Sequence, residues 1–94
     1  MLNLEMLCGN LYNSYHDRWT LFVKFKDQVA QAKGLIKKVV YQFSDGARQE
    51  SSHGPYFTVK GHGAQGNNMV IVSVFFNDQY GIPEQQLVHQ LFLN

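Results

Sequence analysis

The feature that most narrows the fold of this sequence is the run Trp19, Leu21, Val23 and Phe25, with Thr20, Phe22, Lys24 and Lys26 set between them. Successive side chains of an extended strand point to opposite faces, so a period of two presses one set against a core and turns the other outward. Other segments carry the same signal. Leu2, Leu4, Met6 and Cys8 alternate until Gly9-Asn10, which reads as a break. Leu35–Phe43 puts Val39, Tyr41 and Phe43 on one side, and Pro55 introduces Tyr56–Lys60 with Phe57 and Val59 inward. Met69–Phe76 is apolar on both faces, the pattern of a central strand, and Leu87, His89, Leu91 and Leu93 form a last alternating strand. Ser44-Asp45-Gly46, the glycine-rich stretch from Gly61 to Asn68, and Asn77–Pro83 supply the turns, while Arg48–Gly54 is polar and reads as a loop. The only helical turn expected lies within residues 27–34, ended by Gly34. Six short strands separated by turns predict an all-β sandwich or barrel.

A chain of 94 residues, 45% of them apolar, fills one core, so residues 1–94 are expected to form a single domain. Such a domain also suits a module of a longer protein. Eight Lys and Arg against seven Asp and Glu lack the electrostatic footprint of a nucleic-acid-coating protein. Cys8 is alone, which excludes an internal disulfide framework and points to a reducing, cytoplasmic setting. Met1–Cys8 carries Glu5 and no basic leader, and no apolar run approaches the ~20 residues of a spanning helix, so no membrane partner is expected.

Four histidines invite an acid–base or metal reading, but no tight Cys/His spacing of the zinc type occurs. His16 and Asp17 are adjacent and point apart in an extended chain. His89, on the apolar face of the last strand, reads as a packing histidine whose ring bonds a backbone group or a polar residue near the first strand. No serine or cysteine stands beside a histidine and carboxylate in a nucleophile pattern, and Cys8 is expected to be buried and inert. Gly61, Gly63 and Gly66 lack the following helix of a phosphate loop; they fit instead a loop whose backbone comes close to another chain or a ligand. The residues thus point away from an enzyme and toward a binding module without a cofactor.

Five segments in order resemble the YEATS domain family. His16-Asp17-Arg18-Trp19-Thr20-Leu21-Phe22-Val23 is similar to the family's opening His-x-x-Trp/Thr-hydrophobic-Phe-Val, and Leu35–Phe43 to its I-x-K-V-V-F-x-L strand. Pro55-Tyr56-Phe57-Thr58-Val59 resembles P-P-Y/F-x-V, Val72–Phe76 resembles I-x-V-Y-F, and Leu87–Leu93 resembles the closing H-x-L-x-L. The resemblance spans residues 15–94 and implies an immunoglobulin-like β-sandwich. In the family, acylated lysine threads between two aromatic side chains from two loops at one end, with a hydroxyl and backbone N–H groups on the acyl oxygen. Against the family's His-x-Ser-Phe this chain has Ser44, Asp45, Gly46 and Ala47; against its Gly-Tyr/Trp it has Gly61 and His62, followed by Gly63. These seven residues are the implied ligand-binding set. The substitutions fit the bacterial YEATS-like branch, whose modules accompany signalling or defence effectors. The resemblance therefore implies a peptide or protein partner. Rival readings are an acyl-lysine reader with a reduced aromatic cage and a structural adaptor pairing through strand edges.

Overall fold

A computed structural model of the chain describes residues 3–62 and 69–93. In chain order it contains β1 (Met6–Asn13), β2 (Arg18–Phe25), α1 (Gln28–Ala32), β3 (Ile36–Phe43), β4 (Arg48–Ser51), β5 (Val59–His62), β6 (Met69–Phe76), a 3-10 turn (Asp78–Tyr80) and β7 (Gln85–Gln90). The strands form two antiparallel sheets, one ordered β1-β2-β5 and the other β4-β3-β6-β7. This is an all-β, immunoglobulin-like β-sandwich, as the alternation and the resemblance led us to expect.

The alternating residues of β2 do face the core: Trp19, Leu21, Val23 and Phe25 are buried, and Leu21 and Val23 are wholly so. From the second sheet Val39, Tyr41 and Phe43 of β3 and Val70, Val72, Val74 and Phe76 of β6 meet them. Trp19 packs on Phe43 and Phe25 on Phe76, at ring separations of 5.5 and 6.4 Å. Tyr41 spans the layers, its hydroxyl donating to the Phe57 carbonyl oxygen at 2.7 Å. That bond fixes the segment leading into β5 at a residue whose φ is +50°. A phenol needs such a partner to be buried without penalty.

Four expectations are corrected. Gly9-Asn10 does not end the first strand; β1 continues to Asn13, because Gly9 sits opposite Phe22 in an unbroken ladder and leaves room for its ring. Arg48–Gly54 is not all loop: Arg48–Ser51 is edge strand β4, whose polar side chains suit a strand with one free side. The strand after Pro55 is Val59–His62 rather than Tyr56–Lys60, so Gly61 and His62 belong to a ladder instead of a turn. Met69–Phe76 is central, between β3 and β7, but it is buried on one face only, since Met69 and Ile71 are exposed. Strand β4, hidden by its polarity, brings the number of strands among the described residues to seven.

The short helix α1 is held by its ends. Asp27 caps it through the Val29 N–H, and Gly34 follows with φ +64°, a conformation that glycine adopts freely. Gln31 accepts from the Phe25 N–H and donates to the Pro55 carbonyl oxygen, tying helix, β2 and the approach to β5 together.

A candidate binding end

Tyr12, Trp19 and Gly61 lie side by side across β1, β2 and β5, and the Trp19 ring rests on Phe43 at the close of β3. The β1–β2 turn, the β3–β4 turn and the end of β5 therefore gather at one end of the sandwich. The β3–β4 turn is built by ordinary turn chemistry. Asp45 Oδ1 accepts from the Ala47 N–H at 2.9 Å, the Gly46 N–H donates to the Phe43 oxygen at 3.0 Å, and Gly46 has φ +95°. Its root is fixed by the Ser44 N–H donating to the Met69 oxygen at 3.1 Å. Ser44, Asp45, Gly46 and Ala47 are all exposed.

Gly61 has a packing role. A Cβ built there would stand 2.1 Å from Cζ2 of Trp19, so the indole occupies the space a side chain would need. His62 is exposed and pairs with Arg18 across β2 and β5. Gly63 lies outside the described residues.

The two parts of the predicted set line separate depressions. Ser44 and Gly46, with Phe43, Met69 and Ile71, line a groove of about 290 Å³ beside the four-stranded sheet. Gly61 and His62, with Tyr12, Arg18, Trp19 and Lys60, line a cleft of about 430 Å³ beside the three-stranded sheet. The indole Nε1 of Trp19 is buried and has no hydrogen-bond partner among the described residues. Arg18 and Lys60 escape a reading by motif, because only the register of β2 and β5 brings them to His62; Trp19 was legible as a core residue but not as part of the cleft.

The titratable groups divide by surroundings. Burial raises the Cys8 thiol to about 12, which favours its protonated form, and Cys8 is half-buried where full burial was expected. Burial also raises the Tyr41 phenol. The Tyr12 hydroxyl donates to Asp17 Oδ1 at 2.6 Å, and that bond raises its pKa. Burial lowers His89, whose Nε2 lies 2.8 Å from Asn10 Oδ1. Asn10 Nδ2 donates to the Phe92 oxygen at 2.7 Å, so its Oδ1 faces His89 as an acceptor and the imidazole carries its proton on Nε2. The expected packing role of His89 against the first strand is thus the one observed. Among the described residues no three His, Cys, Asp or Glu side chains converge as metal ligands, and no helix is long and apolar enough to cross a membrane.

No family model and no curated protein matches the sequence. A search of solved structures finds the Yaf9 YEATS domain recognizing the H3K122suc peptide, with a TM-score of 0.66 and 19% sequence identity, covering 99% of this chain and 79% of that one. The fold is therefore like that of a YEATS domain over nearly its whole length.

Proposed function

We propose that this chain is a non-catalytic binding module of YEATS type, of the bacterial YEATS-like branch, that recognises a peptide or small ligand at the end of the sandwich carrying Ser44–Ala47, Gly61, His62 and Gly63. One observation carries the reading: its sandwich matches that of the Yaf9 YEATS domain, which recognizes the H3K122suc peptide, across 99% of its length. The gathering of the β3–β4 turn and the end of β5 supports the location. A lone thiol fits a reducing, cytoplasmic setting.

The side chains argue against strong acyl-lysine reading. Ala47 stands where the family has an aromatic ring, and His62 where it has Tyr or Trp. Each lost aromatic stack removes about 0.5–1.5 kcal/mol. The displaced hydroxyl removes about as much again. With tenfold in affinity for each 1.4 kcal/mol, acylation should add little to peptide binding.

Backbone amide shifts measured while acetyl- and crotonyl-lysine peptides and their unmodified forms are titrated test this. The expected result is weak binding that depends little on acylation, with shifts confined to Ser44–Ala47 and His62, and weakened by His62→Ala without loss of thermal stability. Shifts confined to residues elsewhere would refute the location. Micromolar, acylation-dependent binding would instead favour the acyl-lysine reader.

A further inference from the structure

The outward side chains of the three-stranded sheet form a face of a single sign. β1 turns Leu7, Leu11 and Asn13 outward, β2 turns Arg18, Thr20, Phe22 and Lys24, and β5 turns Lys60 and His62. The ladder sets Arg18 against His62 and Thr20 against Lys60. No outward position on these three strands is acidic. Glu5, just before β1, is engaged with Lys26 at 3.2 Å, and Asp17, at the head of the hairpin, accepts from Tyr12. Arg18, Lys24 and Lys60 form no ion pair among the described residues, although the whole chain carries a net charge of only +1.

This face is also grooved and partly apolar. The cleft of about 430 Å³ holding Arg18, Lys60 and His62 shares Leu11 and Thr20 with a second groove of about 280 Å³. Phe22, Tyr56 and Thr58 line that second groove, and Lys24 closes its far side. Leu11 and Tyr56 are 67% and 46% exposed. Through Leu11 and Thr20 the two depressions adjoin, and their lining runs along β2 from Arg18 to Lys24. At ~3.3 Å per residue those six steps span about 20 Å, the reach of a short strand of five or six residues.

From this juxtaposition we propose that the outer face of the three-stranded sheet is a second docking surface, whose occupant is an extended acidic peptide with alternating apolar side chains. Alternation is required because successive side chains of an extended ligand point opposite ways, so one set can enter the Leu11–Phe22–Tyr56 groove. Acidity is required because cations flank the groove at both ends and no acid among the described residues pairs with them. The surface is distinct from the β3–β4 turn and takes in the cleft around Gly61 and His62 at the end proposed above.

Fluorescence anisotropy on the intact chain tests it with three labelled probes: an alternating Glu-Val peptide of about ten residues, its Lys-Val counterpart, and a thymidine oligomer of similar length. The Glu-Val peptide should bind, more weakly as salt is raised, and the Lys-Val peptide should not. Arg18→Glu or Lys60→Glu should lower its affinity at least about tenfold, since each turns an attraction into a repulsion across the ligand. Lys33→Glu, beyond α1, should leave it unchanged. Ala47→Glu, in the β3–β4 turn, should do the same, which separates failure of this surface from failure of the loop-end reading. Arg18→Gln and Lys60→Gln repeat the test without charge reversal, and circular dichroism verifies that each variant is folded. Absence of Glu-Val binding, tighter binding of the oligomer, or indifference to both substitutions would overturn the proposal. So would a dimer in sedimentation that the same substitutions dissociate, which would give the face to a second copy of the chain.

Discussion

Replacing Gly61 by alanine adds one methyl group to the molecule, and its cost can be worked from the packing. The new Cβ would lie 2.1, 2.5 and 2.7 Å from Cζ2, Cη2 and Cε2 of Trp19, against 3.4 Å for ordinary contact. The ring must therefore retreat by more than 1 Å. Trp19 is only 3% exposed and is backed by Phe43, so there is no free space to receive it. Overpacking of this kind costs about 1–3 kcal/mol. Alanine recovers about 0.5–1 kcal/mol of that through its lower backbone entropy. With no space behind the ring the upper part of that range applies, about 2–3 kcal/mol, so a net loss of about 1–2.5 kcal/mol remains, equivalent to roughly 4–20 °C in melting temperature for a domain of this size. Gly9→Ala is the internal control. Its Cβ would stand 2.7 Å from Cζ of Phe22, but that atom is the far end of a half-buried ring on the outer face, which can swing aside. Its melting temperature should change by no more than about 4 °C. Thermal melts followed by tryptophan fluorescence distinguish the two, and Gly61→Ala should also shift the emission to longer wavelength. Equal stability of the two variants, or a Gly61→Ala protein that melts with the parent, would refute the assignment of Gly61 to tryptophan packing.

Tyr41→Phe removes the hydroxyl that donates to the Phe57 oxygen and leaves that carbonyl without its partner, so urea denaturation should show a loss of about 1–3 kcal/mol; an unchanged midpoint would mean the bond is dispensable. His89 is the source of a pH dependence with a definite sign. Burial holds its pKa in the folded chain below the ordinary histidine value of 6.5, so its contribution to stability is complete above that value and is lost as pH falls below it, where the unfolded chain takes up the proton first. Melting temperatures between about pH 7 and 5 should fall less steeply for His89→Gln than for the parent, and parallel curves would assign the slope to other groups.

The sandwich was legible in the sequence wherever one face of a strand is buried. Trp19–Phe25 and the core positions of Leu35–Phe43 could be read because burial enforces period two. The same logic explains β4: its four residues, Arg48 to Ser51, sit on an edge, none of them is buried, and the pattern carries no signal. Gly9-Asn10 looked like a stop because glycine and asparagine favour turns. Here the glycine accommodates a ring across the ladder and the asparagine bonds Phe92 just beyond the last strand, two relations between residues that are not neighbours in the chain. The candidate site was legible to a similar degree. The resemblance pointed to two loops; Ser44–Ala47 do form a turn, whereas Gly61 and His62 lie in β5 and line a separate cleft. Gly61 was read as a place for a ligand when its neighbour is Trp19, because a glycine that admits a partner and one that admits the protein's own indole look alike in one dimension. The basic face was out of reach for the same reason: Arg18 and Lys60 are 42 residues apart and become neighbours only through register.

Asn10 gives the molecule a mechanical character. Its Oδ1 accepts from the Phe92 N–H at 3.0 Å and its Nδ2 donates to the Phe92 oxygen, so one side chain offers the last segment the bonding pattern of a neighbouring strand. His89 adds a third tie to the same amide. The Trp19–Phe43 and Phe25–Phe76 contacts set the two sheets' ends against each other, and with the ladders within each sheet they make β1 and β7 run in the same direction. Tension applied between the chain's two ends would therefore pull these strands past each other lengthwise rather than peel them apart. The clasp and the ladders on either side of it would bear that load together, and a single amide side chain becomes the rivet that makes the first and last strands resist force as one piece.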